Sequence, residues 1–300
     1  MSAVPLAADA PESPFRRIAR DFAASRLAMA GLAVFLLMLA AAVFAPLISP
    51  QNPYDLAQLD VMDSRLPPGS VGTDGRTYWL GTDEQGRDVL SAIFYGLRIS
   101  LGVGVLSTLV ALAIGLAAGL AAGYFGGRVE GVIMRIVDLQ LSFPAILVAL
   151  VLLALLGQGI DRTIAALVVV QWAYYARTVR GAALVERGRE YIEAARGLAL
   201  PPARIVFRHL LPNCLPPVIV VATVQVAAAI ALEATLSYLG IGVPITEPSL
   251  GLLIKNGFDY MLSGKYWISF FPGLALVLLI VSINLVGDQL RDVLNPRLQR

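Results

Sequence analysis

Six stretches of the chain, at 27–48, 99–124, 136–156, 163–185, 215–243 and 267–286, are almost uninterrupted runs of apolar residues. Each is at least as long as the roughly 20 residues of helix that a bilayer core about 30 Å thick requires. Inside lipid an unpaired amide finds no water, so only helices and closed barrels can cross it. The runs lack the period-two alternation of barrel strands, which leaves a bundle of helices. Composition agrees: 57% of the 300 residues are hydrophobic and 15% are charged, against about 25% charged in an average soluble domain. The expected fold class is all-α integral membrane, with six transmembrane helices. The fourth run is the least regular, because Arg177 and Arg180 interrupt it. Its lower end is expected among the headgroups.

Lysine and arginine favour the cytoplasmic side of a membrane, so their placement sets orientation. With the N-terminus inside, sixteen of the 23 basic residues face the cytoplasm and seven lie outside. A multi-pass chain with both termini cytoplasmic is expected. Ahead of the first run, PFRRIARDFAASR (14–26) puts Phe15, Ile18 and Phe22 on one helical face and arginines opposite. That is the pattern of a basic helix lying on the inner leaflet. Paired arginines before an apolar run also suit an export signal, but this run is longer than a signal's core and five more follow it. The second run carries Gly115, Gly119 and Gly123 at a four-residue period, a small-residue stripe that lets another helix approach closely.

Catalytic constellations are missing from the sequence. A single cysteine, Cys214, excludes an intramolecular disulfide or a cysteine zinc cluster. The sole histidine, His209, has neither a cluster of further metal ligands nor a serine–carboxylate grouping around it. There is no phosphate loop: of the two lysines, only Lys265 follows a glycine, and tyrosine comes next. TDEQGRD at 82–88 has the composition of a calcium loop without its twelve-residue spacing. A non-catalytic chain with no cofactor of its own is expected, and the small net charge of +2 offers nothing to nucleic acid.

One segment breaks the apolar pattern. At EYIEAARGLALPPARIVFRHLLPN (190–213) and the residues just before it, a helix over 186–199 has Glu186, Glu190 and Glu193 recurring at helical spacing among Arg187, Arg189 and Arg196, as on a solvated helix face. Pro201 and Pro202 break that helix, since proline removes a donor and crowds the preceding turn. A second short helix is expected to return to the membrane and end near Pro212. Neighbouring helices need only about 2–8 connecting residues, so this excursion reads as a docking surface for another protein.

The segment resembles the EAA loop of ABC importer permeases, whose pattern is EAA, three residues, glycine, nine residues, a hydrophobic residue, any residue, then Leu-Pro. Glu193, Ala194, Ala195, Leu211 and Pro212 match that spacing. Ala199 stands at the glycine position, with Gly197 two residues earlier, and His209 stands at the hydrophobic one. LGTDEQGRDVLSAIFYGLRISL (80–101), AGYFGGRVEGVIMRIVDLQLSFP (122–144), LSYLGIGV (236–243) and GDQLRDVLNPRLQR (287–300) are similar to the C-type permease of dipeptide, oligopeptide and nickel importers. Asn295-Pro296 replaces that family's Asp-Pro, and Leu250 replaces a tryptophan.

The resemblance implies a type I importer transmembrane domain in a bacterial cytoplasmic (inner) membrane. Its partners would be a homologous B-type permease, two ATPase subunits that hold ATP and Mg, and an extracytoplasmic solute-binding protein. Docking on the ATPase would fall to Glu193, Ala194, Ala195, Gly197, Ala199, Leu211 and Pro212. Cargo would be dipeptides or oligopeptides, with glutathione-like peptides or nickel chelates as alternatives. A secondary transporter is the rival class, but it would show inverted repeats and broken helices at mid-membrane. The implied organisation is an N-terminal region at 1–97, a core at 98–290 containing the coupling loop at 186–213, and a cytoplasmic tail at 291–300.

Three acidic sites remain. LGTDEQGRD (80–88) is expected to form a rigid turn at the outer face that braces the second helix, with contact to the binding protein as the other reading. Asp138 is expected to pair with Arg135 on its own helix. Glu233 is the only acid deep in an apolar run, where a charge costs about 2.5–3.5 kcal/mol on insertion scales. Gln225, Glu233 and Ser237 share a helical face that is expected to line the translocation cavity. There Glu233 would either pair with the partner permease or receive the amino group of a peptide.

Overall fold

The computed structural model describes residues 14–55, 59–244 and 246–294. Asn295, Pro296, Arg297 and Arg300, together with the side chain of Phe15, lie outside the described residues. α1 (Pro14–Ala23) exposes Arg16, Arg17 and Arg20 while half-burying Ile18 and Phe22, so its two faces part as the sequence predicts. It packs on the last helix, where Gln289 donates to the Asp21 carbonyl at 3.1 Å. Ser25 then caps α2 (Arg26–Val43) by accepting from the Ala28 amide, and α3 (Ala45–Ile48) adds a turn at the outer end.

The longest helix is α4 (Val89–Phe125), at 37 residues. At 1.5 Å per residue it is about 55 Å long, well beyond the bilayer core. The surplus lies at the outer end and is covered by protein, because Val89, Ile93 and Leu97 pack with Met38, Ala42, Trp267 and Ile268 in one buried cluster. Farther in, α4 lies along α7 (Ile160–Arg187), and the glycine stripe makes the contact. A methyl on Gly119 would sit 2.6 Å from the Ala176 carbonyl oxygen, and one on Gly123 would sit 2.5 Å from the Ala183 Cβ. The backbones can be this close only because no side chain stands between them.

The third apolar run, 136–156, is not one helix. α5 (Gly127–Leu141) and α6 (Ala145–Leu156) meet at 90°. Pro144 stands at the break; it lacks an amide donor and biases Phe143 away from helical backbone. α7 is long enough to cross, but its inner half carries Arg177, Arg180, Glu186 and Arg187. Among the described residues, four helices are both long and apolar enough to span a membrane, or five if the bent pair counts as one. The expectation of six is therefore approximate.

Beyond α7 come α8 (Glu190–Gly197), a short α9 (Pro202–Arg204), a π-helical stretch over Ile205–Leu210, and α10 (Leu211–Tyr238). The second helix of the charged segment does not end at Pro212. It runs on from Pro202 to Tyr238 as one 37-residue element. The π stretch explains this, because the Leu211 amide reaches back to the Val206 carbonyl, five residues away. That wider turn makes room for Pro212, whose ring would crowd an ordinary α turn. Two further elements complete the fold, α11 (Leu250–Phe258) at the outer side and α12 (Trp267–Leu294).

At the outer face the segment before α4 folds into a small hydrogen-bonded cap. A two-residue ladder pairs β1 (Ser70–Val71) with β2 (Thr77–Tyr78). The buried Asp63 carboxylate accepts from the Thr73 amide at 2.9 Å and the Tyr78 hydroxyl at 3.0 Å. Asp60 accepts from the Met62 amide and the Thr73 hydroxyl, each at 2.8 Å. These bonds favour its ionised form and hold its carboxyl below the usual range.

LGTDEQGRD is the hinge pin of this cap. Asp83 Oδ1 accepts from the Gln85 and Arg87 amides at 2.9 and 3.0 Å, and Oδ2 takes the Arg87 Nε at 2.6 Å. Gly86 adopts φ +76, and a side chain there would strike the Asp60 carbonyl. Asp88 caps α4 through the Ser91 amide at 2.8 Å, and burial pushes its carboxyl up. The Trp267 indole donates to the Thr82 carbonyl at 3.1 Å, tying the cap to the start of α12. The expected bracing of the second helix is what these bonds do.

Candidate functional site

The charged segment is a projecting helix with a rigid root. On α8, Glu193, Ala194 and Gly197 are exposed, while Ile192 and Ala195 turn inward. Those two pack with Ile205, Leu200 and Tyr124, and Arg196 stacks over the Tyr124 ring at 5.6 Å. The placement of Ala195 corrects the expectation that it meets a partner directly: it is 4% exposed and belongs to the root. The spacing of EAA explains this, since consecutive helical residues lie about 100° apart and one of the two alanines must face inward.

The end of α8 accounts for the glycine of the family pattern. The Leu200 amide bonds the Ala195 carbonyl at 3.2 Å, and the Ala199 amide bonds the Arg196 carbonyl at 2.9 Å. These are the two bonds of a Schellman cap, which needs a left-handed residue at its pivot. The pivot is Ala199, at φ +53. A β-carbon there costs roughly 1–2 kcal/mol, so the departure from glycine leaves the geometry intact at some expense in stability.

Around this root, the Tyr191 hydroxyl donates to Glu186 at 2.6 Å and accepts from Asn213 at 3.1 Å, bridging α7, α8 and α10. Burial first, then the Glu186 carboxylate, pushes the Tyr191 hydroxyl up to about 12. Leu211 is half-buried and packs against a cluster of Val179, Ala183, Leu210 and Cys214, so it sits behind the exposed face of the segment. Pro212 is exposed on the helix flank, and Ala199 is exposed at the tip. Two residues that the motif does not single out stand beside them: Leu198 is 76% exposed and Phe207 is 65% exposed. Large apolar side chains bared on a charged segment are a mark of an interface. An apolar residue between EAA and the double proline was the available signal.

On the membrane side, Asp138 does not pair with Arg135. It reaches Arg177 on α7, and Glu130 reaches Arg180. The two ion pairs staple α5 to α7 around a cavity of about 430 Å³ lined also by Gly127, Gly131 and Met134. Sequence spacing favours the i,i+3 partner; the packing of α5 across α7 puts a longer-range one closer.

Glu233 is likewise relocated. It is 0% exposed, as is Ser237, so neither lines an open cavity. Both carboxyl oxygens are occupied inside the chain, by the Ser100 hydroxyl at 2.8 Å and the Ser237 hydroxyl at 2.7 Å. The Ser100 oxygen accepts in turn from the Leu250 amide at 3.4 Å. The carboxyl thus joins α4, α10 and the start of α11. A helical wheel shows which residues share a face but not whether a neighbouring helix covers that face. Gln225, two turns along α10, is half-buried and is not part of this cluster. Glu233→Gln preserves shape and one accepting oxygen, and its amide nitrogen can donate to the other serine oxygen, so it is expected to leave the thermal midpoint in detergent nearly unchanged. Glu233→Leu strands buried hydroxyls at about 1–3 kcal/mol and is expected to lower that midpoint by several degrees. Equal midpoints for the two variants would contradict the structural role.

Comparison with known proteins bears on this arrangement. Residues 115–300 match the family described as binding-protein-dependent transport system inner membrane component. Residues 13–68 match the N-terminal TM domain of oligopeptide transport permease C. The chain is 38% identical to the dipeptide transport system permease protein DppC of Bacillus subtilis, over 96% of this chain and 86% of that protein. Against its Escherichia coli K12 namesake the identity is 39%, over 98% and 97% of the two chains. The fold is similar to a chain from inward facing conformations of the MetNI methionine ABC transporter, with TM-score 0.55 and 24% identity over 68% of this chain and 96% of that one. With a type I importer bundle, a projecting helix rooted between membrane helices, and relatives matched almost end to end, the chain belongs to the inner membrane permeases of binding-protein-dependent transport systems.

Proposed function

We propose that this chain pairs with a homologous B-type permease to form the pathway by which a bacterium imports dipeptides or oligopeptides across its cytoplasmic membrane. Two separate ATPase subunits hold ATP and Mg and supply the energy, and an extracytoplasmic solute-binding protein delivers the cargo. The observation that carries the reading is the build of α8. Its outer face presents small residues, Ala194 and Gly197, beside the bare Leu198, while its inner face is locked to the membrane helices through Ile192, Ala195 and Ile205. A helix built this way seats in a groove on one side and transmits displacement on the other.

The peptide class follows relatives named for dipeptide, di/tripeptide and oligopeptide transport. Hydrolysis is assigned to the partners, and this chain contributes the path and the lever. The test is purification of the tagged chain from mild detergent after co-expression with the other subunits, followed by reconstitution into vesicles. The ATPase subunits are expected to travel with it, and uptake of dipeptide is expected to require ATP. Purification free of any ATPase, or accumulation driven by an ion gradient without ATP, would sink the reading in favour of a secondary transporter.

A further inference from the structure

The cavity between α5 and α7 lies at the end of the bundle from which α8 projects. α4 ends at Phe125 and α5 starts at Gly127, and Tyr124, just before that junction, belongs to the α8 root. The cavity holds about 430 Å³ and is lined by Glu130, Gly131, Met134, Asp138, Arg177 and Arg180 among others. That volume falls within the range of about 300–1,000 Å³ typical of small-molecule sites. Part of its floor is bare backbone. Beyond their own stretch of helix, no heavy atom of a described residue lies within 4 Å of where a β-carbon on Gly127 or Gly131 would stand.

The charged groups of the cavity stand in two pairs, and the pairs differ. Arg180 Nε donates to Glu130 Oε1 at 2.8 Å, with side chains 37% and 23% exposed. Arg177 meets Asp138 with side chains 53% and 63% exposed. An exposed pair contributes little net stability, because water screens the attraction and two side chains lose freedom. The Arg177–Asp138 pair can therefore exchange its partners for the charges of a ligand at small cost, while the Arg180–Glu130 pair keeps α5 attached to α7. A guanidinium and a carboxylate that already touch are both within reach of one short molecule carrying a charge of each sign. A free dipeptide has that form, with an ammonium and a carboxylate about 7 Å apart at full extension. Beside the pair, Met134 offers an unbranched, polarizable wall that adapts to different shapes.

We propose that this cavity is a binding site for the main chain of a short zwitterionic peptide. Arg177 holds the terminal carboxylate, which its planar donor fork matches in two bonds, and Asp138 accepts from the terminal ammonium. The peptide's side chains lie over Gly127 and Gly131 and against Met134, so the site reads the two ends and tolerates the sequence between them. The inference rests on the peptide-import reading, in which this is the end where cargo leaves, and adds to it a place and a chemical basis for recognition.

The probe is radiolabelled alanyl-phenylalanine, measured by equilibrium dialysis against the assembled complex in nanodiscs without ATP or binding protein. Its C-terminal amide and its N-acetyl form serve as controls. Wild type is expected to bind the free dipeptide saturably. Arg177→Gln is expected to weaken that binding about tenfold or more, the worth of a hydrogen bond to a charged group, and to leave binding of the amide unchanged. Asp138→Asn is expected to do the same for the free dipeptide and to spare the N-acetyl form. Either change also removes a tie between α5 and α7, so Gly131→Leu is the second test. It keeps both ion pairs, fills the floor, and is expected to abolish binding of all three probes while melting like wild type. Absence of saturable binding to wild type, or wild-type affinity in Gly131→Leu, overturns the site. An equal loss for all three probes in charge variants that melt like wild type does so too; where those variants melt lower, Gly131→Leu decides alone. A phosphatidylethanolamine headgroup carries charges of both signs, so discs with and without that lipid are compared. Peptide displaced by the lipid, with lipid retention lost in Arg177→Gln, identifies a lipid site and overturns the peptide one. ATP-driven uptake of the same dipeptide is followed in parallel: its absence from wild type counts against the import reading, whereas dialysis alone decides the site.

Discussion

Replacing Gly197 with tryptophan is expected to reduce ATP-driven uptake by about thirtyfold or more while the chain remains folded, inserted and paired with its partner permease. The size follows from burying the side chain at the centre of an interface, where single positions cost 2 kcal/mol or more, and each 1.4 kcal/mol is tenfold. Gly197 is the right position because it is exposed, and no heavy atom lies within 4 Å of where its β-carbon would stand. The substitution therefore adds bulk only toward the partner. Ala195→Trp would confound the experiment, since Ala195 is buried against Ile192 and Ile205. Its indole would break the root of the helix before any partner arrived. The measurement is dipeptide uptake by reconstituted vesicles, with recovery of ATPase subunits in pull-down as the companion readout. Normal uptake by Gly197→Trp would falsify α8 as the docking element. A loss of thermal stability in the isolated chain would show that the effect is not one of docking.

Asp83→Ala is expected to cost about 3–5 kcal/mol of stability, the penalty for leaving one member of a buried ion pair alone. Asp83 and Arg87 have side chains only 3% exposed, with 2.6 Å between Oδ2 and Nε. Removing the carboxylate strands the guanidinium, whose Nη2 already lacks a partner, and frees the two amides that Asp83 accepts from. The turn that carries the α4 cap would then loosen. The assembled complex is expected to melt well below wild type in detergent. The double replacement Asp83→Leu with Arg87→Met is expected to recover much of the loss, because exchanging a buried pair for apolar groups is often close to neutral. A single variant with wild-type melting and weakened binding-protein affinity would instead assign this turn to cargo delivery.

Both predictions depend on which residues were legible before folding was considered. The apolar runs read directly as membrane helices because lipid leaves an amide no other partner, and that constraint acts within each run. The EAA segment was equally legible, since charges and a double proline amid oil have few explanations. The glycine stripe announced close packing, and the structure identified its partner as α7, by backbone approach at Gly119 and side-chain approach at Gly123.

Other features depended on contacts between distant parts of the chain. The helix that was expected to end at Pro212 continues to Tyr238, because a π turn upstream opens the backbone where the proline ring needs room. The third run bends by 90° at Pro144, although its 21 residues read as a single span by length and hydropathy. Asp138 found Arg177 rather than Arg135, since α5 crosses α7.

By itself the sequence determined that this chain spans a membrane as helices and that a charged segment stands out from them. Those properties follow from local pattern: run length, charge count and the placement of proline and glycine. Only the tertiary structure decided the partner of each polar group. Glu233 turned from a candidate cargo ligand into an internal tie between Ser100 and Ser237. The reason is physical: a charge in a low-dielectric surrounding is governed by what lies within a few ångströms, and residues 133 positions apart, such as Ser100 and Glu233, come that close only when helices pack.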